Sequence, residues 1–151
     1  MKRIIVILIF LPLMAITAMA QHGLNVEKFF AEDFALQHPT EVTQVNLSGK
    51  YLKQLSSDFT SYSSVKIVNE PTLIEQLEKA VMKDGAHARK RTTKLKNGHL
   101  YYGMYTLTSL ANGENRYLIF RYKSDEATAA TKAILIYIQG VATEADINAL
   151  F

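Results

Sequence analysis

Four histidines are the first candidates for metal binding or proton transfer in this 151-residue chain: His22, His38, His87 and His99. They fall in the N-terminal leader, before Pro39, after Gly85 and in a predicted turn. None of these places has a helical face that would aim two ligands, one turn apart, at a single ion. Nucleophilic catalysis lacks its parts: the chain has no cysteine, and no serine stands in a Gly-x-Ser-x-Gly elbow. Glu75 and Glu78 lie three apart on a predicted helix, but Lys79 and Lys83 beside them give the pattern of a solvated face. No glycine-rich loop offers a phosphate cradle. No catalytic residue, no metal ligand and no cofactor is expected.

Two surface features remain. Arg89, Lys90, Arg91, Lys94 and Lys96 form a dense positive strip. On a strand Arg89 and Arg91 share one face, and Lys90, Lys94 and Lys96 the other. A strand charged on both faces suits the edge of a sheet, where lysine blunts unwanted pairing; the alternative use is contact with an anion. Tyrosines are the second feature. Tyr101 and Tyr105 alternate onto one face of a predicted strand, with Leu100, Tyr102 and Met104 on the other. Tyrosine packs well in sheets and also makes interfaces, because its ring buries area while its hydroxyl stays wet. The possible binding surface is therefore Arg89, Lys90, Arg91, Lys94, Lys96, Tyr101 and Tyr105.

The elements that must position these residues can be read from periodicity. Gln21 to Asn25 reads as a loose leader. Val26, Phe29, Phe30 and Phe34 recur at helical spacing, and His38-Pro39 ends that helix. Glu41 to Leu47 and Ser64 to Val68 read as strands. Between them Ser48 stands where it would cap a turn carrying Tyr51, Leu52 and Leu55. Pro71 opens a second helix, where its missing N–H costs nothing, with an apolar stripe through Leu73, Ile74, Leu77, Val81 and Met82. After Gly85 the period changes to that of strands: Ala88 to Leu95, Leu100 to Leu107, Arg116 to Tyr122 and Ala133 to Gln139. Asn97-Gly98 predicts a tight hairpin turn, and Asn112-Gly113 another turn. Thr143 with Asp146 three residues on resembles a capping box for a short closing helix. The expected fold is α+β: a mainly antiparallel sheet, helices packed on one face, and a short C-terminal helix.

The chain opens with Lys2-Arg3, an apolar run from Ile4 to Met14, and Ala18-Met19-Ala20. That is the three-part pattern of a secretory signal peptide. The division is then residues 1–20, a signal peptide, and residues 21–151, a single α+β domain. No cysteine stands after the leader to carry a lipoprotein's lipid. Lys2 and Arg3 account for two of the 17 basic residues, against 14 acidic ones, so the mature domain is near neutral. Global attraction to nucleic acid or to an anionic membrane is not supported.

Several of these features also carry a family resemblance: the signal peptide, the Phe29-Phe30 helix, Val45 to Ser48 running into Tyr51-Leu52, Asn69-Glu70-Pro71, and Ile136 to Gly140 with a short acidic-capped helix after it. In this order the chain resembles small exported proteins, mostly of Bacteroidetes-type bacteria, grouped as a domain of unknown function. The resemblance implies export and one α+β domain, and it brings no activity and no functional residue. The expected protein is a non-enzymatic exported envelope protein, periplasmic or extracellular, without a stable membrane anchor after cleavage. It would bind a protein or glycan partner, and no nucleic acid, through its sheet. The alternatives are an enzyme acting on an anionic substrate with a site assembled from distant residues, and an envelope stress-response accessory.

Overall fold

A computed structural model describes residues 23–151. The expected signal peptide, residues 1–20, and His22 lie outside the described residues. Among the described residues the helices are α1 (Glu27–Phe30), α2 (Glu32–Gln37), α3 (Gly49–Leu55), α4 (Pro71–Gly85) and α5 (Glu144–Leu150). The strands are β1 (Val42–Leu47), β2 (Phe59–Val68), β3 (Lys90–Lys96), β4 (His99–Thr106), β5 (Asn115–Ser124) and β6 (Thr131–Gly140). They form one sheet in the order β1-β2-β6-β5-β4-β3, every neighbouring pair antiparallel. The fold is α+β, as the periodicity predicts.

The strands bury both faces. Along β6, Ala133, Leu135 and Tyr137 enter a core with Leu73, Leu77 and Val81 of α4 and Phe29 and Phe30 of α1. Ile136 and Ile138 enter a second core with Leu52 of α3 and Ile147 of α5. The long helix and the N-terminal pair thus occupy one face. The short α3 and the C-terminal α5 lie on the other, an addition to the one-face packing expected from the sequence.

Local chemistry sets several boundaries. The single helix expected over Val26 to Phe34 is two helices, because Ala31 turns to an extended ψ of 140°. Gln44 Nε2 of β1 donates to the carbonyls of Phe29 and Ala31, each at 2.8 Å. The Phe29 carbonyl is one that a continued helix would use internally. The leader is not loose where it enters α1. The buried Asp84 carboxylate accepts from Asn25 N and Nδ2, both at 2.8 Å, and from Val26 N at 3.0 Å. Ser48 stands at the N-cap of α3 but its side chain makes no capping bond. Thr143 and Asp146 do form the reciprocal capping box. β2 begins at Phe59, earlier than Ser64, because pairing with β6 recruits a serine-rich stretch that carries no local strand signal.

A register shift interrupts the pairing of β3 with β4. Lys94 pairs with Tyr102, but Leu95 pairs with Leu100, leaving Tyr101 as an extra residue on β4. Such a bulge breaks the alternation of faces. Leu100 therefore joins the core of Tyr105, while Met104 and Tyr102 belong to the opposite face. The alternation expected from the sequence, with Leu100 beside Tyr102 and Met104, fails at this residue.

Candidate functional site

β3 is the free edge opposite β1, and all of its residues are exposed. The basic strip on it divides among several surroundings. Lys90 Nζ lies 2.9 Å from Glu144 Oε1 of α5. Lys94 Nζ stands 6.0 Å from the centroid of the Tyr102 ring. Arg89 is bound by its backbone N–H to Thr106 O and by Nε to Leu107 O. Arg91 pairs opposite Tyr105. Lys96 and Tyr101 turn to a cleft beside α4.

Tyr105 is not a surface residue. It is 3% exposed, and its ring fills a slot between Gly85 and Gly103 that a Cβ at either glycine would obstruct. Burial raises its phenol above the ordinary value, with Arg91 pulling the other way, so it remains protonated and internal. The two tyrosines expected to share a face are thus separated, Tyr105 by the core and Tyr101 by the bulge.

The antiparallel register then extends the strip in a direction that local sequence does not show. One cross-strand row reads Thr43, Lys66, Ile134, Arg121, Tyr102, Lys94 from edge to edge. The next row holds Val68, Lys132 and Lys123. Neither row contains a carboxylate; Asp125 and Glu126 stand just beyond, in the β5–β6 loop, where Asp125 accepts from Ala127 N and Thr128 N. Strands are spaced by about 4.8 Å, so Lys66 and Lys94 bracket roughly 19 Å of surface. Arg121 lies 5.8 Å from the Tyr102 centroid, so the ring carries a cation on either side, as its quadrupole favours. These rows lie past the second core, whose border residues Ile134 and Tyr102 are half-buried.

The expected surface did not include Lys66, Arg121, Lys123 or Lys132. Within β5 a signal exists: Leu118, Phe120 and Tyr122 alternate with Ile119, Arg121 and Lys123, which marks a face that changes from apolar to basic along the strand. What aligns it with Lys66 and Lys94 is pairing between strands far apart in sequence. Over residues 13–151 the chain matches a family of unknown function, DUF6108. It belongs to that family. No curated protein and no solved structure matches this DUF6108 chain. Among the described residues no group of three or more His, Cys, Asp or Glu converges as metal ligands, and no helix is long and apolar enough to cross a membrane.

Proposed function

We propose that this DUF6108 protein is a non-enzymatic binding module that holds an acidic protein surface on the part of its sheet that α3 and α5 leave open. Arg121 is also held there by the Phe151 carbonyl at 3.1 Å. The observation that carries the reading is the pair of cross-strand rows with Lys66, Arg121, Lys94, Lys132 and Lys123 and no carboxylate among them. A chain near charge balance overall gains a strong local field this way. Tyr102 and Ile134 stand in the same row as Lys66, Arg121 and Lys94 and give the surface an aromatic and apolar component among the cations. Arginine and tyrosine with a charged rim are the composition of protein interfaces. A polyanionic glycan would use the cations and leave the apolar groups uncovered.

The test is retention of the protein on immobilised poly-L-glutamate and, in parallel, on heparin. Binding to polyglutamate should fall steeply between about 0.05 and 0.2 M salt as screening shortens the field. The Lys66→Gln, Arg121→Gln, Lys132→Gln variant should lose it while keeping its unfolding midpoint. Unchanged retention in the variant overturns the reading, and retention on heparin alone moves the partner to an acidic glycan.

The same proposal places the module outside the cytoplasm, in the periplasm or beyond, after cleavage between Ala20 and Gln21. Support comes from the basic start, apolar run and Ala-x-Ala exit of residues 1–20. N-terminal sequencing of the envelope fraction should begin at Gln21; an intact Met1 there refutes export by cleavage.

A further inference from the structure

Beside α4, a cleft of about 570 Å³ opens between the first half of that helix and the ends of β4, β5 and β6. Its floor holds a carboxylate that sequence periodicity assigned to solvent. Glu78 is 9% exposed, with Oε1 accepting from Leu100 N–H at 2.7 Å and Oε2 standing 3.4 Å from His99 Nδ1. Each oxygen keeps a lone pair for another donor. Tyr101 reaches the cleft because the bulge removes it from the strand's alternation, and bulges recur where a side chain is re-aimed at a site. Tyr122 supplies a second ring to the lining. At the margin, Thr131 Oγ1 is buried without a hydrogen-bond partner. Its backbone is held on both sides by Asn69, through Asn69 N–H to Thr131 O at 2.8 Å and Thr131 N–H to Asn69 Oδ1 at 3.1 Å. An unsatisfied buried hydroxyl is rare enough to need an explanation, and Thr131 is one of the residues that line the cleft.

We propose that this cleft is a binding site for a neutral, polyhydroxylated ligand of sugar type. The chemistry selects the class. Tyrosine, serine and threonine hydroxyls both donate and accept, as sugar hydroxyls do, and a fixed carboxylate accepts from them. Tyr101 and Tyr122 offer ring faces to the C–H face of a pyranose. Anions are disfavoured, since Glu75, Glu78 and Glu126 line the cleft; cations meet Lys96 and Lys123 there.

The experiment titrates isotope-labelled protein with maltotriose, cellotriose and chitotriose, tracking backbone amide shifts. At least one sugar should give saturable shifts at Leu100, Tyr101, Tyr122 and Thr131. Tyr101→Ala, a change at an exposed position, should weaken that binding about tenfold, which is about 1.4 kcal/mol. Glu78→Gln retains an acceptor for Leu100 N–H and should weaken it as well. The proposal is overturned if none of the three sugars gives saturable shifts, if the shifts fall on Arg121 and Lys132 instead, or if Tyr101→Ala binds as tightly as the original. Lys123 borders both the cleft and the basic rows, but Lys66, Arg121 and Lys132 do not line the cleft, so loss of polyglutamate retention in their triple variant is read independently of sugar binding.

Discussion

The face under α4 and the face under α3 and α5 are made from the same six strands, yet they are covered to different extents. α4 has 15 residues, about 22 Å of helix, and with α1 it lies over the middle of its face. The acidic groups of that layer are put to structural use: Asp84 binds the chain entering α1, and Glu78 binds the start of β4. The other face has two helices of seven residues, about 10 Å each, which cover one end of it. Past them the same alternation that buries Ile136 and Ile138 turns out Lys66, Arg121 and Lys132. Helix length therefore decides which half of the sheet is core and which is surface, and the exposed half is where the cations collect.

The strongest way to break this comparison is to remove one side chain from each core. Leu77 is fully buried in the first core and Ile136 is 9% exposed in the second. Each change to alanine should cost about 2–5 kcal/mol, with Leu77 toward the upper end and Ile136 toward the lower. Urea unfolding measures both. A loss under about 0.5 kcal/mol at Ile136, the range of surface changes, would mean that α3 and α5 do not make a second core.

The next effect sharpens the account of the closed face. Asp84→Ala leaves the N–H groups of Asn25 and Val26 without their acceptor, and should cost about 2–3 kcal/mol. Limited proteolysis should then cut ahead of α1 before the sheet unfolds. Equal protease resistance in the variant would show that Asp84 does not hold the N-terminal segment.

Asp84 and Glu78 also show how much of this was legible in the sequence. Both stand on the apolar stripe of α4, Glu78 between Ile74 and Val81, and Asp84 after Leu77 and Ala80. A polar residue at a stripe position signals a buried partner, and grouping Glu78 with Glu75 as one solvated face passes over it. Glu75 fits such a face, paired with Lys79 at 2.9 Å. Periodicity identifies α4, the four late strands and the capping box, since each is a local pattern. The basic rows and the cleft depend on which strand lies beside which and on a bulge of one residue, and neither is encoded within a single segment. β3 is the intermediate case: charge on both of its faces marks it as an edge, but its partners across the sheet cannot be read from it.

Changes along the β3 edge should leave stability nearly untouched. Replacing Lys90, Lys94 and Lys96 by Gln removes one exposed ion pair, Lys90 with Glu144, and one exposed cation–π contact. Exposed pairs contribute about 0–1 kcal/mol. The visible result should be self-association through the unpaired edge of β3, read by sedimentation, because lysine there opposes pairing between copies. A variant that stays monomeric at high concentration would remove edge protection from the roles of the strip and leave partner binding as its use.

The smallest effect separates the faces by pH. Asp146 holds α5 over the second core: its Oδ2 accepts from Thr143 N at 2.7 Å and from Thr143 Oγ1 at 2.8 Å. These bonds, the backbone one first, keep its carboxyl below the ordinary 3.8. Because the folded form titrates lower than the unfolded one, the contribution is fully present above about pH 3.8 and is lost as pH falls through the depressed value. Acidification through that window should therefore raise amide exchange in α5, around Ile147, before it does so in α4, where the N-terminus is occupied by Pro71 rather than by a carboxylate cap. Asp146→Asn should flatten the acid dependence of α5 alone. If α4 and α5 open together as pH falls, the two faces are one cooperative unit, and the short helix is bound to the sheet more tightly than its length implies.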